Sequence, residues 1–83
     1  SNILSLVASP NPVIDILKIT LPDISQEAVY TEIFDINGKL IYKSEIQVYN
    51  SKSINVPFSS FSKGLYFVKL SLNEPKTIKI IKK

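Results

Sequence analysis

The sequence predicts an all-β fold, a single antiparallel β-sandwich of about seven short strands, and three observations support this prediction. Apolar residues recur with a period of two, most clearly at Tyr66, Val68, Leu70 and Leu72, and such alternation is typical of half-buried strands. Turn-forming residues interrupt the alternation about every eight to twelve residues. Ile, Val, Tyr and Phe, which favour pleated strands, are abundant, and no segment shows a convincing helical stripe.

Proline, glycine and asparagine residues mark the boundaries of the predicted strands. We interpret Pro10-Asn11-Pro12 as a rigid elbow between the first two strands, because its prolines fix two φ angles and remove two N–H donors. Asn37-Gly38 predicts a hairpin with a type I′ turn, in which both central residues have positive φ. Residues 58–63 are a candidate single turn of helix. The predicted strands cover residues 3–8, 13–20, 29–36, 39–47, 52–56, 65–72 and 76–82.

The chain of 83 residues has the length of one small domain, and 45% apolar residues are sufficient for a packed core. We therefore interpret residues 1–83 as one domain, in which residues 1–8 form a first strand or a linker. Ser1-Asn2 is a candidate remnant of tag removal. Because the chain does not begin with Met, we expect it to be a piece of a longer protein.

The composition argues against several classes of function. The chain has ten Lys against seven acidic residues, a net charge of +3, and no Arg, His, Cys, Met or Trp. Without His and Cys, there is no imidazole or thiol for catalysis, for a soft metal ion or for a disulfide. The absence of Arg argues against recognition of nucleic acid, and no apolar run reaches the roughly 18 residues of a membrane helix. We therefore predict no enzyme activity, no cofactor, no metal site and no membrane insertion.

Three short segments carry the remaining local signals: the hairpin loop, the start of the clearest strand, and the last segment. In the hairpin loop, Asp35 is predicted to accept hydrogen bonds from backbone N–H groups. The loop is similar to part of a calcium-binding loop, but Gly38 comes too early and Lys39 occupies a ligand position. Gly64 precedes the clearest strand, where we expect a left-handed residue or a bulge. Tyr66 begins the buried face of that strand, and its hydroxyl needs a partner, as in a tyrosine corner.

Phe61 belongs to the same segment as Gly64 and Tyr66, and we expect its ring to close one end of the sandwich. The last segment, residues 76–83, contains four Lys and no acidic residue. These lysines protect an edge strand from aggregation, improve solubility or form a tail that another protein recognises. Nucleic acid is disfavoured, because no aromatic residue is interleaved with the lysines.

Taken in order, these segments resemble the C-terminal sorting domain of the type IX (Por) secretion system, type A class, over about residues 8–83. This resemblance implies an immunoglobulin-like β-sandwich at the C-terminus of secreted proteins of Bacteroidota. It implies that the domain crosses the periplasm with an N-terminal cargo and is recognised by the outer-membrane translocon. It also implies that a sortase-like peptidase usually removes the domain and often attaches the cargo to the cell surface. The corresponding residues are Pro10, Asn11, Pro12, Asp15, Asp35, Gly38, Lys39, Gly64, Tyr66, Lys79, Lys82 and Lys83.

A recognition signal needs a rigid surface and no catalytic group. We expect the cationic last strand to offer both charge and free backbone edge groups, so that a partner docks by strand addition. Two other functions remain open, a carbohydrate-binding or adhesive module and a structural immunoglobulin-like spacer of an extracellular protein. The absence of Trp argues against a sugar-binding site.

Overall fold

A computed structural model describes residues 6–22, 27–48 and 52–83 of the chain. These residues form seven strands in two sheets, and every pair of neighbouring strands is antiparallel. The strands are β1 (Val7–Ser9), β2 (Ile16–Thr20), β3 (Ala28–Phe34), β4 (Leu40–Gln47), β5 (Ser53–Pro57), β6 (Gly64–Leu70) and β7 (Lys76–Lys82). The predicted all-β antiparallel sandwich is confirmed. Within the described ranges, no helix has the length and apolar character needed to span a membrane.

The two sheets have the strand orders β1-β2-β5 and β4-β3-β6-β7. The chain crosses between the sheets three times, after β2, after β4 and after β5. Two facing antiparallel sheets joined by such crossings are typical of an immunoglobulin-like sandwich. In the constant-type immunoglobulin domain, the fourth strand lies in the same sheet as the first two strands. Here β4 pairs instead with β3, so that β3–β4 is a hairpin at the edge of the four-stranded sheet.

The core lies between the sheets and consists of the alternate apolar residues that the sequence pattern predicts. In β6, Tyr66, Val68 and Leu70 are buried, while Lys69 is exposed. Each fully buried aliphatic side chain contributes about 1.5–3 kcal/mol through loss of its contact with water. The fully buried apolar side chains from the two sheets and their connections are Val13, Leu17, Ile19, Val29, Ile33, Val56, Phe58, Val68, Leu70 and Ile80.

The prediction of a strand over residues 13–20 is wrong for residues 13–15. Strand β2 begins at Ile16, and Val13 forms a parallel bridge with Lys82 of the other sheet. Residues 14 and 15 carry the chain from the four-stranded sheet to the three-stranded sheet. Strand β1 begins later than predicted, at Val7, and residues 3–5 of the predicted first strand lie outside the described residues. The candidate helical turn is a reverse turn in which Phe61 N–H donates to Phe58 O, 2.9 Å away.

The hairpin between β3 and β4 differs from the predicted type I′ turn. Gly38 N–H donates to the carbonyl oxygen of Asp35 (3.0 Å), so the central residues of the turn are Ile36 and Asn37. Gly38 follows with a φ of +82°, and Asp35 N–H donates to Lys39 O (3.0 Å). This is a three-residue loop in which glycine supplies the left-handed conformation. Strand β3 therefore ends at Phe34, two residues before the predicted end.

Candidate recognition site

The four-stranded sheet brings residues that are distant in sequence together at one of its ends. Phe34, the last residue of β3, lies opposite Phe67 near the start of β6. Gly64, the first residue of β6, lies opposite Lys82, the last residue of β7. The antiparallel order therefore places the β3–β4 loop, the start of β6 and the end of β7 side by side. We call this region, made of residues 10–15, 35–39, 61–66 and 79–83, the motif end.

The segment Pro10-Asn11-Pro12 reaches the motif end through hydrogen bonds to β7. Asn11 Nδ2 donates to Lys79 O (3.2 Å), and Asn11 Oδ1 accepts a hydrogen bond from Ile81 N–H (3.0 Å). Val13 N–H donates to Ile81 O and Lys83 N–H donates to Val13 O, both at 2.8 Å. The peptide bonds that precede both prolines are cis. The predicted elbow is therefore also a clamp that joins the beginning of the domain to its last strand.

The loop between β3 and β4 is stabilised by Asp35. One carboxylate oxygen, Oδ1, accepts hydrogen bonds from the N–H groups of Asn37 and Lys39, each at 2.9 Å. The structure thus confirms the predicted contact of Asp35 with the backbone of the turn. Lys39 is exposed beside Gly38, and its side chain points away from the core. In this loop, Asp35 and Gly38 set the shape of the backbone, and Lys39 is exposed together with Ile36 and Asn37.

Aromatic rings close the sandwich at the motif end. The Tyr66 hydroxyl donates to Ser62 O (2.6 Å), which is the tyrosine corner that the sequence predicts. The Phe61 ring lies 5.0 Å from the Phe58 ring and 5.6 Å from the Tyr66 ring, and so it closes the core as predicted. Asp15 is connected to this cluster through its backbone, since its carbonyl oxygen accepts a hydrogen bond from Phe58 N–H (2.7 Å). The side chain of Asp15 is exposed.

The sequence also matches a known protein family. The chain matches the model of the secretion system C-terminal sorting domain over residues 8–83. The chain belongs to this family. The sorting domain is a C-terminal signal for type IX secretion, and the resemblance noted in the sequence is confirmed. One relative is an ulvan lyase from Nonlabens ulvanivorans, which is 35% identical over 75 residues; the match covers 89% of this chain. The matched region is only 13% of the length of that lyase.

The clamp changes the interpretation of the last strand. Strand β7 is the edge of its sheet, and the predicted docking by strand addition requires its outer backbone groups to be free. Asn11 and Val13 already occupy these groups from Lys79 to Lys83, so the prediction of a free edge is wrong for this half of the strand. The lysine side chains stay accessible. Lys79 and Lys83 are exposed, while Lys82 is half-buried and its Nζ donates to Lys83 O (3.1 Å).

An open pocket of about 280 Å³ lies between the hairpin loop and the aromatic rings. Its lining has one carboxylate and three hydroxyls, from Asp35, Ser60, Ser62 and Tyr66, together with Ile41 and Phe61. Asp35 Oδ1 and the Tyr66 hydroxyl are engaged by the backbone contacts described above. Within the described part of the chain, no three acidic, His or Cys residues are grouped so as to hold a metal ion. Two of the polar side chains in the pocket, Asp35 and Tyr66, therefore hold the backbone of the motif end.

The clamp predicts that Asn11→Ala weakens the sorting domain locally at β7. Loss of both side-chain hydrogen bonds is expected to lower the free energy of unfolding by about 1–3 kcal/mol, because the Ile81 N–H and Lys79 C=O lose their partner. Urea unfolding measures this change, and hydrogen exchange of the Ile81 amide locates it. Asn55→Ala, an exposed position on β5, is the matched control. Equal exchange at Ile81 in the two variants would contradict the clamp.

Proposed function

We propose that the sorting domain carries a cargo protein, fused to its N-terminal side, to the outer-membrane translocon of type IX secretion, and that the translocon recognises its folded surface. The observation that carries this proposal is the convergence of all the family motifs at one end of the sandwich. The clamp, the hairpin loop, the tyrosine corner and the lysine-rich terminus meet there, although they are spread over residues 10–83. Only the folded chain presents them as one surface.

The residues of the motif end divide by their contacts into two groups with different roles. Asn11, Asp35 and Tyr66 make hydrogen bonds to the backbone, and the two glycines take positive φ angles, so these residues hold the shape. We propose that the translocon contacts the remaining exposed motif residues, together with half-buried Lys82. This displayed group consists of Pro10, Pro12, Asp15, Lys39, Lys79, Lys82 and Lys83.

The later steps of export are also part of the proposal. The folded domain passes through the periplasm with its cargo, a sortase-like peptidase removes it, and the cargo is attached to the cell surface or released. The small share of the ulvan lyase that the match covers supports a role as an appendage of a larger protein. The sorting domain itself has no catalytic role in this scheme; it contains neither His nor Cys, and the Asp35 carboxylate and Tyr66 hydroxyl of its pocket are bound to backbone groups.

Export of a fused reporter tests the proposal. Residues 8–83 are placed at the C-terminus of a reporter that has its own signal peptide, in a bacterium with type IX secretion. We expect the reporter to appear at the cell surface or in the medium, and to stay in the periplasm of a translocon-deficient strain. An unrelated β-sandwich of similar size, fused at the same position, is the control. The proposal is wrong if the reporter with the control domain is exported equally well.

A further inference from the structure

The outer face of the four-stranded sheet has an apolar patch that overlaps the motif end and extends beyond it. Phe34 of β3 lies opposite both Leu40 of β4 and Phe67 of β6, and Leu65 lies opposite Ile81 of β7. Directly paired residues share a face, and these five alternate with core residues of their strands, so all five point away from the core. Leu40 and Ile81 are 42% and 47% exposed, and the other three are half-buried. We call these five residues the outer patch.

Lysines surround the outer patch on the same face. Lys79 lies opposite Phe67, and Lys83 follows Ile81 by two residues. Two residues before Phe34 on β3, and therefore on the same face, Glu32 lies opposite both Lys43 of β4 and Lys69 of β6. Glu32 forms no ion pair with either lysine. Among the described residues, Lys76 and Glu74 form the ion pair that the structure contains. The rim of the patch thus has four lysines that are not neutralised by a contact, and one carboxylate.

We propose that the outer patch is a docking surface for a protein partner that presents apolar side chains surrounded by Asp and Glu residues. The partner's apolar side chains would cover Phe34, Phe67 and Ile81, and its carboxylates would face the lysine rim. This inference rests on the proposed function, because it assigns the surface through which the export machinery binds the domain. It goes beyond the twelve motif residues named above, since none of the five residues of the patch is among them.

The charges on this face favour an acidic protein over other occupants. A second copy of the chain would bring one lysine rim against another, and the like charges would repel. An anionic membrane would attract the lysines but would also repel Glu32, which lies between its two cross-strand neighbours Lys43 and Lys69. A protein surface can place its own charges individually, and so it can match both signs.

Substitution of the two most exposed patch residues tests the docking surface in the reporter fusion. We expect Leu40→Asp/Ile81→Asp to lower export roughly tenfold or more, because buried apolar groups at the centre of an interface carry most of its binding energy. The control Val7→Asp/Ile16→Asp changes two residues that are 54% and 55% exposed on the three-stranded sheet, and it should export like the unchanged domain. Thermal unfolding of both purified variants shows that the fold is retained.

The outcomes separate the docking surface from the proposed function. If the Leu40/Ile81 variant is exported like its control while the reporter without the domain stays inside, the docking surface is wrong and the proposed function stands. If the reporter without the domain is exported too, the proposed function itself fails. A loss of export in both variants, with unfolding temperatures unchanged, would also overturn the specific assignment to the four-stranded sheet.

Two measurements on the purified domain identify the occupant. Flotation with vesicles of phosphatidylcholine and phosphatidylglycerol tests a lipid surface, and sedimentation velocity tests self-association. We expect neither vesicle binding nor a dimer. Either one, if abolished by Leu40→Asp/Ile81→Asp, would overturn the assignment to a protein partner. In cells, a photo-crosslinking residue in place of Phe67 should give an adduct with an outer-membrane protein, and the adduct should be absent from a strain that lacks the translocon.

Discussion

Reversal of the three terminal lysines, in Lys79→Glu/Lys82→Glu/Lys83→Glu, is expected to retain a fused reporter in the periplasm and to lower its export roughly tenfold or more. The side chains of Lys79 and Lys83 are exposed at the motif end, where they can face an acidic partner. The three substitutions change the formal net charge from +3 to −3, because each one replaces a positive group with a negative group. Cell fractionation followed by immunoblotting of the reporter measures the result.

A variant with the same change in net charge elsewhere shows whether position matters. Lys18→Glu/Lys52→Glu/Lys76→Glu reverses a lysine in the middle of β2, one before β5 and one at the far end of β7. Lys76 loses its ion pair with Glu74, which contributes at most about 1 kcal/mol because Glu74 is exposed. This control should be exported normally. If both triple variants fail equally, net charge rather than the lysine-rich terminus controls export.

Charge reversal is more informative than truncation for the same segment. Strand β7 pairs with β6 along its whole length, and Ile80 is fully buried. Deletion of residues 76–83 would therefore remove a core strand and expose the β6 edge, and the domain would unfold. A loss of export after that deletion would report the loss of the fold. The lysine side chains can be changed without this consequence, since the backbone hydrogen bonds of β7 are kept.

Local patterns in the sequence predict most of the strands, because the alternation of apolar residues reflects which side chains each strand buries. The failures occur where a partner far away in the sequence decides the structure. Val13 continues the apolar alternation of Leu17 and Ile19, yet it pairs with Lys82 at the other end of the chain. Similarly, Ile41 interrupts the alternation of β4 because it is the extra residue of a β-bulge, which is defined by the register with β3.

The recognition site shows the same division between local and distant contacts. Asp35 and Tyr66 each contact backbone groups no more than four residues away, and the sequence predicts both contacts. The partners of the Asn11 side chain lie 68 and 70 residues away, on a strand that the sequence places only approximately. The outer patch could not be predicted either. Its residues come from four strands, and their proximity depends on the strand order β4-β3-β6-β7.

Gly64→Val is expected to destabilise the domain strongly through strain in its backbone. Gly64 has a φ of +152°, which residues with a side chain rarely adopt, and a β-branched residue is disfavoured further. No atom lies within 4 Å of a Cβ built at this position, so the cost comes from backbone strain and not from a clash. We expect a loss of about 2–3 kcal/mol and a fall in the unfolding temperature of about 10–20 °C.

The effect on export then follows from the effect on folding. A domain of this size has a total stability of about 4–12 kcal/mol, so the substitution removes a large share of it, and export should decline with the folded fraction. Gly38→Asn is the matched control, because asparagine tolerates the left-handed conformation that Gly38 takes with its φ of +82°. Thermal unfolding followed by circular dichroism gives the unfolding temperatures of the two variants, and we expect that of Gly64→Val to be the lower. An unchanged unfolding temperature for Gly64→Val together with lost export would instead identify Gly64 as a direct contact of the translocon.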